Sequence, residues 1–259
     1  MAIVLVLVHG MGNHSPGWSS QAQVQLESCL RLAGRETTFI EVTYSDLVER
    51  TTVEPATAPE VLLSREDLLF EQLAAKMEGA FLDRYDVEIG EREEALIPAG
   101  QLQDWRTFAV NLLRYVARYM TSDDLRNSVR ERVSSSIRKA LGDAQPDGVV
   151  SLVGHSLGSV VAWDIVSDPQ TAIGSRLEKL VTLGCPLGWW GLVADVGARV
   201  VPCKWADVVA PGDSITWKQV KCPPFRTSSE FSKRITRGAA QPHSALWGEL
   251  ITHWCEVLA

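Results

Sequence analysis

The sequence lacks a surplus of basic residues. Its 259 residues include 25 Lys and Arg against 32 Asp and Glu, which gives a formal net charge of −7. Nucleic acids and anionic membranes are bound mainly through positive charge on the protein, and this chain has no overall basic field to supply it. We therefore expect no nucleic-acid partner.

The sequence also lacks an apolar run long enough to cross a bilayer. The N-terminal run Ile3–Val8 has no basic stretch before it and no small-residue cleavage site after it, so it does not read as a signal peptide. We expect a buried strand here, no transmembrane segment, and a cytoplasmic location.

Cysteine is sparse, and its spacing excludes the common metal-binding patterns. The five cysteines form no CxxC motif and no Cys/His cluster; they are Cys29, Cys185, Cys203, Cys222 and Cys255. An odd, scattered set of this kind favours reduced thiols with structural roles. We expect neither a metal nor an organic cofactor.

What is present is an alternation of strand and helix patterns. After the first aliphatic run, a helix is predicted over 21–32 and a strand over 37–44. The alternation returns after Gly148, with strands over 149–153, 180–183 and 200–205, a helix over 157–166, and a last helix over 244–258. This order predicts an α/β fold with a mostly parallel central sheet, in a single domain over 1–259.

Residues 45–147 differ from the rest because helical spacing recurs there without a convincing strand. We expect a helical insertion between the second and third recognisable strands, acting as a cap or lid. Its second part, 101–141, has 8 basic and 4 acidic side chains, which indicates either a solvated face or a surface that meets phosphate head groups. Three helices are predicted in the insertion, the first around Leu62–Phe81 and the second around Leu102–Tyr119. The third has its apolar residues at Leu125, Val129, Val133, Ile137 and Leu141.

The clearest motif is Gly154-His155-Ser156-Leu157-Gly158, between an aliphatic strand and a helix pattern. A nucleophilic serine has to project from a strained strand-to-helix turn, and small residues two positions away on each side let strand and helix approach. Ser156 is therefore the candidate nucleophile. The alternative is a tight glycine turn with an idle serine.

These features resemble the α/β-hydrolase superfamily, in particular lipase-like and esterase-like members whose first strand ends in a His-Gly-x-Gly loop and whose elbow reads GHSLG. The resemblance covers most of the chain except the insertion. It implies an α/β-hydrolase fold in which residues 9–12 form an oxyanion loop, with the backbone N–H groups of Met11 and Leu157 as donors. A plain turn is the alternative for this loop, and His9 is expected to be a hydrogen-bonded structural residue.

A serine nucleophile needs a histidine to take its proton and a carboxylate to hold that histidine. His243 precedes the predicted last helix, where members of the family place their base, and it is our candidate. His253 lies within that helix, and we expect it to be structural. His155 is expected to point away from the nucleophile by strand alternation.

Two acids compete for the third role. Asp213 follows a Pro-Gly turn and resembles the family's strand-loop-Asp-x-Val pattern, with Asp213-Ser-Ile in place of Asp-Pro-Val. Asp207, nearer the strand end, is the alternative and otherwise anchors the loop. Asp195 is a remote third candidate. We choose Asp213.

The candidate substrate-binding residues are Gly10, Gly12, Trp189 and Trp190. Two neighbouring indoles flanked by glycines can line an acyl groove or touch a lipid interface, although core packing is also open to them. Cys185 follows a predicted strand and can line the pocket, and nothing near it in sequence would activate its thiol.

The function indicated is a serine hydrolase that cleaves carboxylic esters through an acyl-enzyme. The resemblance favours lipid-like esters, with peripheral contact to lipid as an accompanying expectation. Amide, thioester or acyl-transfer chemistry with the same triad is the first alternative. A catalytically silent scaffold that binds a protein through its helical insertion is the second.

Overall fold

The computed structural model describes most of the chain, with gaps. The described residues are 2–10, 12, 14–49, 67–76, 78–79, 111–144, 146–188, 199–213, 215–216, 226–227, 231–236 and 242–259. The helical pattern predicted around Leu102–Tyr119 falls only partly within them, since 111–121 is helical and 101–110 lies outside the described residues.

A six-stranded parallel sheet forms the centre of the fold, in the order β2-β1-β3-β4-β6-β8. Its strands are β1 (Ala2–Val8), β2 (Glu36–Val42), β3 (Val149–His155), β4 (Lys179–Leu183), β6 (Lys204–Val209) and β8 (Phe231–Ile235). Two short strands, β5 (Val200–Val201) and β7 (Arg226–Thr227), pair in parallel beside it. The predicted α/β class with a mostly parallel central sheet is confirmed, and this architecture is that of the α/β-hydrolase fold.

Both faces of the sheet are buried, which explains the unbroken aliphatic sequence of β1. Ile3, Leu5 and Leu7 belong to one apolar cluster, whereas Val4, Val6 and Val8 belong to another. Side chains alternate between the faces of a strand, so a strand covered on both sides has to be apolar at every position. The sheet therefore lies between two layers of helices.

One layer contains the helix Ser20–Leu32 and the C-terminal segment. The opposite layer contains the helices Asp123–Asp143 and Leu157–Val166. A short helix, Ser45–Glu49, follows β2, and a 3₁₀ turn, Gly174–Arg176, precedes β4.

The helix Asp123–Asp143 lies within the range predicted as an insertion. All five apolar positions predicted for it are buried, and it contacts β1, β2 and β3. This part of the range therefore covers the sheet directly. Whether the remainder forms a cap over the site stays a prediction, because 50–66 and 80–110 lie outside the described residues.

Two predicted elements are wrong in their bounds. The strand predicted over 200–205 is split after Val201, because Pro202 has no N–H to donate to a neighbouring strand. The predicted last helix is broken into Pro242–Ala245, Ile251–Trp254 and the 3₁₀ turn Cys255–Leu258. Gly248, a poor helix former, lies in the intervening turn.

Cys29 and Cys255 form a disulfide across 226 residues of sequence. The expectation of reduced thiols is therefore wrong for this pair, while Cys185 and Cys203 are free and buried. No spacing motif announces a bond between residues so far apart, and only the packing of the helix Ser20–Leu32 against the C-terminal segment brings them together. Such bonds are typical of oxidising compartments and rare in the cytoplasm. The cytoplasmic location therefore stays a prediction, and this bond does not support it.

A buried ionic cluster lies on the face of the sheet opposite this disulfide. The carboxylate of Asp164, which is fully buried, accepts two hydrogen bonds from Arg126 and one from Tyr119. Arg130 and Arg199 reach the same carboxylate at 2.9 and 2.5 Å. Burial alone would raise the pKa of Asp164, but the arginines hold that pKa well below its ordinary value. The cluster therefore keeps its charge at every ordinary pH.

Within the part of the chain that the structure describes, no helix combines the length and apolarity needed to cross a membrane.

Candidate active site

Ser156 occupies a strained turn between β3 and the helix Leu157–Val166. Its φ and ψ are 54° and −125°, a conformation that residues with a side chain rarely adopt. A Cβ on Gly154 would lie 2.6 Å from the carbonyl oxygen of Gly158, and one on Gly158 would lie 2.2 Å from that of His9. Both glycines are thus required by close packing, which fixes the turn that presents the serine.

The Ser156 side chain is enclosed. The residue is 2% exposed, and its hydroxyl makes no hydrogen bond with any residue that the structure describes. Its backbone N–H donates to the carbonyl oxygen of Leu183, 2.8 Å away, which ties the turn to the end of β4. Gly10 lies directly against it, because an added Cβ there would come within 2.7 Å of the Ser156 Cβ.

Asp213 and His243 form a buried pair. Nδ1 of His243 lies 2.9 Å from Oδ2 of Asp213, and the side chains are 2% and 0% exposed, respectively. A carboxylate accepts hydrogen bonds, so Nδ1 has the proton when Asp213 is ionised, and Nε2 is then the basic nitrogen of the neutral ring. The pair has the orientation that prepares a histidine to accept a proton.

A tight turn holds the carboxylate in place. The N–H of Asp213 donates to the carbonyl oxygen of Ala210 at 3.1 Å, and Gly212 has a φ of 83°, as a type II turn with Pro211 before it requires. Oδ1 of Asp213 accepts the N–H of Ile215 at 2.9 Å. Both carboxylate oxygens are therefore hydrogen-bonded, and the group has one fixed orientation toward His243.

Gly184 connects this pair to the nucleophile turn. It follows Leu183, whose carbonyl oxygen binds Ser156, and an added Cβ would lie 2.8 Å from Nδ1 of His243 and 3.1 Å from Oδ2 of Asp213. Three strand ends, those of β3, β4 and β6, thus bring the nucleophile candidate and the Asp-His pair to one edge of the sheet. This is the edge at which open α/β sheets bind their ligands.

The competing acid has a different environment. Asp207 lies within β6, where it accepts a hydrogen bond of 2.7 Å from the Thr182 hydroxyl, which in turn accepts the indole N–H of Trp205. Asp207 therefore links β6 to β4. His253 is half-buried in the helix Ile251–Trp254, and Asp195 lies outside the described residues.

The loop after β1 is fixed by residues that follow β2. His9 is buried, its Nε2 accepts the N–H of Tyr44 at 3.1 Å, and its carbonyl oxygen accepts the Tyr44 hydroxyl at 2.8 Å. The Ser45 hydroxyl donates to the carbonyl oxygen of Gly12 at 2.7 Å. Burial lowers the pKa of His9 to about 4, so its ring is neutral and holds the loop.

The predicted oxyanion donors are placed only in part. Leu157 begins the helix after Ser156, so its N–H is one of the first four, which have no partner within the helix. Met11 lies outside the described residues, as do Trp189 and Trp190. Gly12 is exposed, with a φ of 123°.

Cys185 lies one residue beyond Gly184 and is buried. Burial raises the pKa of its thiol well above the ordinary value, and the charge of Asp207 adds to this effect. The thiol is therefore protonated and unreactive at ordinary pH.

Sequence reasoning missed two neighbours of the base. Gly184 was visible only as a turn residue, because its contact with His243 depends on how separate strands pack. The ring of His155, which was expected to point away from the nucleophile, reaches the backbone of His243, with Nε2 3.0 Å from the carbonyl oxygen. No sequence pattern indicates a contact across 88 residues.

Within the described ranges, no group of three or more His, Cys, Asp or Glu side chains is arranged to hold a metal ion. Among the described residues, the groups assembled at the candidate site include a hydroxyl, an imidazole, a carboxylate and backbone amides, a set suited to acyl transfer.

Comparison with known proteins leaves the family open. No family model matches the chain, and neither does any curated protein. A dienelactone hydrolase from Anabaena variabilis ATCC 29413 is 14% identical, with 98% of this chain and 85% of that chain covered and a TM-score of 0.40. An uncharacterized protein from Pseudomonas aeruginosa is 10% identical, with 95% and 41% covered and a TM-score of 0.31.

Proposed function

We propose that this protein is a serine hydrolase that cleaves carboxylic esters through an acyl-enzyme formed on Ser156. The observation that carries the proposal is the buried Asp213–His243 hydrogen bond of 2.9 Å, located at the sheet edge where the strained turn presents Ser156. Gly184, which lies directly against this pair, follows Leu183, whose carbonyl oxygen binds the N–H of Ser156, so one strand end connects the pair to the serine. The three residues have the order along the chain, Ser then Asp then His, that this fold uses.

In the proposed reaction, Oγ of Ser156 attacks the acyl carbonyl while Nε2 of His243 takes the hydroxyl proton. Asp213 keeps the proton on Nδ1 and stabilises the imidazolium that forms. His243 then gives its proton to the leaving alcohol. Water next attacks the acyl-enzyme while His243 takes a proton from it, and His243 returns that proton to Oγ of Ser156 as the carboxylic acid leaves. Oγ and Nε2 have to come within about 2.6–3.2 Å for the first transfer, an approach that often tightens only when substrate binds.

Attack places negative charge on the carbonyl oxygen. The N–H of Leu157, at the start of a helix, is one proposed donor to that oxygen, and Met11 in the loop after β1 is the other. Removing one such donor typically costs about 10²–10³ in kcat. The hydrogen bonds of Tyr44 and Ser45 to this loop support the assignment, because a donor is effective only when its position is fixed in advance.

Lipid-like esters are the substrate class we propose. The near-complete burial of Ser156 and His243 supports a site that is covered and must open to admit a substrate, as a cap over an apolar pocket would require. The two indoles at 189 and 190 are proposed to line the acyl groove or to make peripheral contact with lipid. Amide, thioester or transfer chemistry would use the same residues.

The test is hydrolysis of nitrophenyl esters from acetyl to palmitoyl by the wild type, Ser156→Ala and a His253→Ala control. We expect Ser156→Ala to lower kcat by at least about 10³-fold and His253→Ala to retain it. A maximum at long chains supports the lipid-like class, and a maximum at acetyl restricts the proposal to a general esterase. Equal turnover by wild type and Ser156→Ala would overturn it.

A further inference from the structure

His155 is a titratable residue at the site to which the proposed chemistry gives no role. It is the last residue of β3 and directly precedes Ser156. Its Nε2 lies 3.0 Å from the backbone carbonyl oxygen of His243. A carbonyl oxygen only accepts hydrogen bonds, so Nε2 has the proton and donates it, and the His155 ring is held to the backbone of the base.

His243 precedes a turn that is held by hydrogen bonds from Trp247 to the carbonyl oxygen of Ser244 and from Leu250 to that of Ala245. It lies in a helix of four residues, Pro242–Ala245, which is too short to be stable through its own hydrogen bonds. The bond to Asp213 fixes the imidazole, and the bond from His155 fixes the main chain that bears it. Together the two bonds help to determine where Nε2 of His243 points.

The His155 ring is itself supported. Its centroid lies 4.8 Å from that of His243 and 6.3 Å from that of Trp247, with which it stacks at an interplanar angle of 30°. Trp247 in turn stacks on Trp18 at 5.3 Å and on Trp254 at 6.4 Å. This row of indoles packs against the apolar layer below, so the donor occupies a defined position.

The ring also remains neutral while the base changes charge. The pKa of His155 is lowered to about 3, chiefly by burial and then by the charge of His243. The hydrogen bond to the His243 backbone and the charge of Asp213 raise that pKa in part, and His14 has a smaller lowering effect. A cation at His155 would repel the imidazolium that forms on His243. A neutral donor avoids this cost and still binds the carbonyl.

We infer that His155 is a positioning residue that anchors the backbone of His243, so that the end of one strand presents the nucleophile and fixes the base. This inference rests on the proposed function. The positions of the two residues make it feasible, because His155 ends β3 and Ser156 forms the turn that follows directly.

The test compares three variants with the wild type. His155→Gln keeps a neutral N–H donor at about the same reach, whereas His155→Phe keeps a ring for stacking without a donor, and His155→Ala has neither. We expect kcat for a nitrophenyl ester to fall about 10- to 100-fold in the Phe and Ala variants, because small displacements of catalytic groups have costs of this size. KM should change less than about threefold, and Gln should restore most of kcat.

A second readout does not depend on activity. Hydrogen–deuterium exchange of peptides covering 242–250 should be faster in His155→Phe than in wild type and close to wild type in His155→Gln. Equal exchange and equal kcat in the Gln and Phe variants would overturn the inference, as would a change confined to KM. A wild type with no Ser156-dependent turnover would overturn the proposed function instead, and the exchange comparison would still decide the anchoring contact.

Discussion

Two buried carboxylates, Asp164 and Asp213, have partners of opposite character. Asp164 is surrounded by three guanidinium groups and a tyrosine hydroxyl, all of which keep their charge state at ordinary pH. Among the residues that the structure describes, Asp213 has a single side-chain partner, His243, whose imidazole is able to gain and lose a proton. The charges around Asp164 are fixed and hold separate helices together. The Asp213–His243 pair can instead take up and release a proton during a reaction.

The surroundings of the two carboxylates differ in the same way. The partners of Asp164 come from the helix Asp123–Asp143, the helical residues 111–121 and the segment just before β5, so its hydrogen bonds connect separate elements of one layer. Asp213 lies at the sheet edge beside Gly184 and the nucleophile turn. We therefore expect substitutions at Asp164 to affect stability and those at Asp213 to affect turnover.

The largest expected effect is that of Asp213→Asn. An amide cannot stabilise the imidazolium and favours the wrong ring tautomer, so we expect kcat to fall by about 10⁴-fold with the fold retained. The matched control is Asp207→Asn, which changes another buried carboxylate, on the preceding strand, and should retain most activity. Measured kcat values for the two variants check the assignment, and the reverse pattern would transfer the acid role to Asp207.

Asp164→Asn should have the opposite signature. It leaves Arg126, Arg130 and Arg199 partly buried without their countercharge, and we expect the free energy of unfolding to fall by about 3 kcal/mol. Activity per folded molecule should stay near that of wild type. Urea unfolding and active-site titration measure the two quantities.

Asp168→Asn is the control for this substitution, because Arg130 is the one cation paired with Asp168 within the described ranges and the Asp168 side chain is 15% exposed. We expect a loss of about 1 kcal/mol or less there. Similar losses in both variants would mean that the cluster around Asp164 has no special role in stability.

A further prediction concerns the dependence of stability on pH. The pKa values of His9 and His155, about 4 and 3, lie below the ordinary value of 6.5, so between pH 6.5 and 4 the unfolded chain binds protons that the folded chain does not. Stability should therefore fall as the pH is lowered through this range, by up to about 1.4 kcal/mol per pH unit for each histidine.

Urea unfolding of wild type and His155→Gln at pH 7, 5.5 and 4.5 checks this prediction. The variant should lose the contribution of one histidine and have a shallower dependence on pH. Parallel dependences would show that His155 titrates alike in the folded and unfolded chains.

The elements that the sequence predicted correctly are defined by residues that lie close together along the chain. The aliphatic run before Gly154 and the apolar pattern after Ser156 define a strand, a turn and a helix without any knowledge of the rest of the fold. The Pro211-Gly212 turn before Asp213 is likewise visible in the sequence. These patterns also indicated a parallel sheet, because strands and helices alternate along the chain.

Contacts between distant segments were not predictable. The Cys29–Cys255 bond and the approach of His155 to His243 depend on how the C-terminal segment packs on the sheet. The sequence predicted one continuous helix in that segment, whereas the structure has a broken one. The strand β8 was also missed. The ionic cluster around Asp164 shows the same limit, because helical periodicity indicates which face is apolar and does not indicate which buried charges meet.

The most direct test of the central claim, that the buried Asp213–His243 pair activates Ser156, is the rate and site of labelling by a fluorophosphonate probe. Peptide mass spectrometry should find a single adduct on Ser156 in wild type, with labelling of His243→Ala slower by at least about 10³-fold and that of His253→Ala unchanged. An adduct on another residue, or labelling of His243→Ala at the wild-type rate, would contradict the claim.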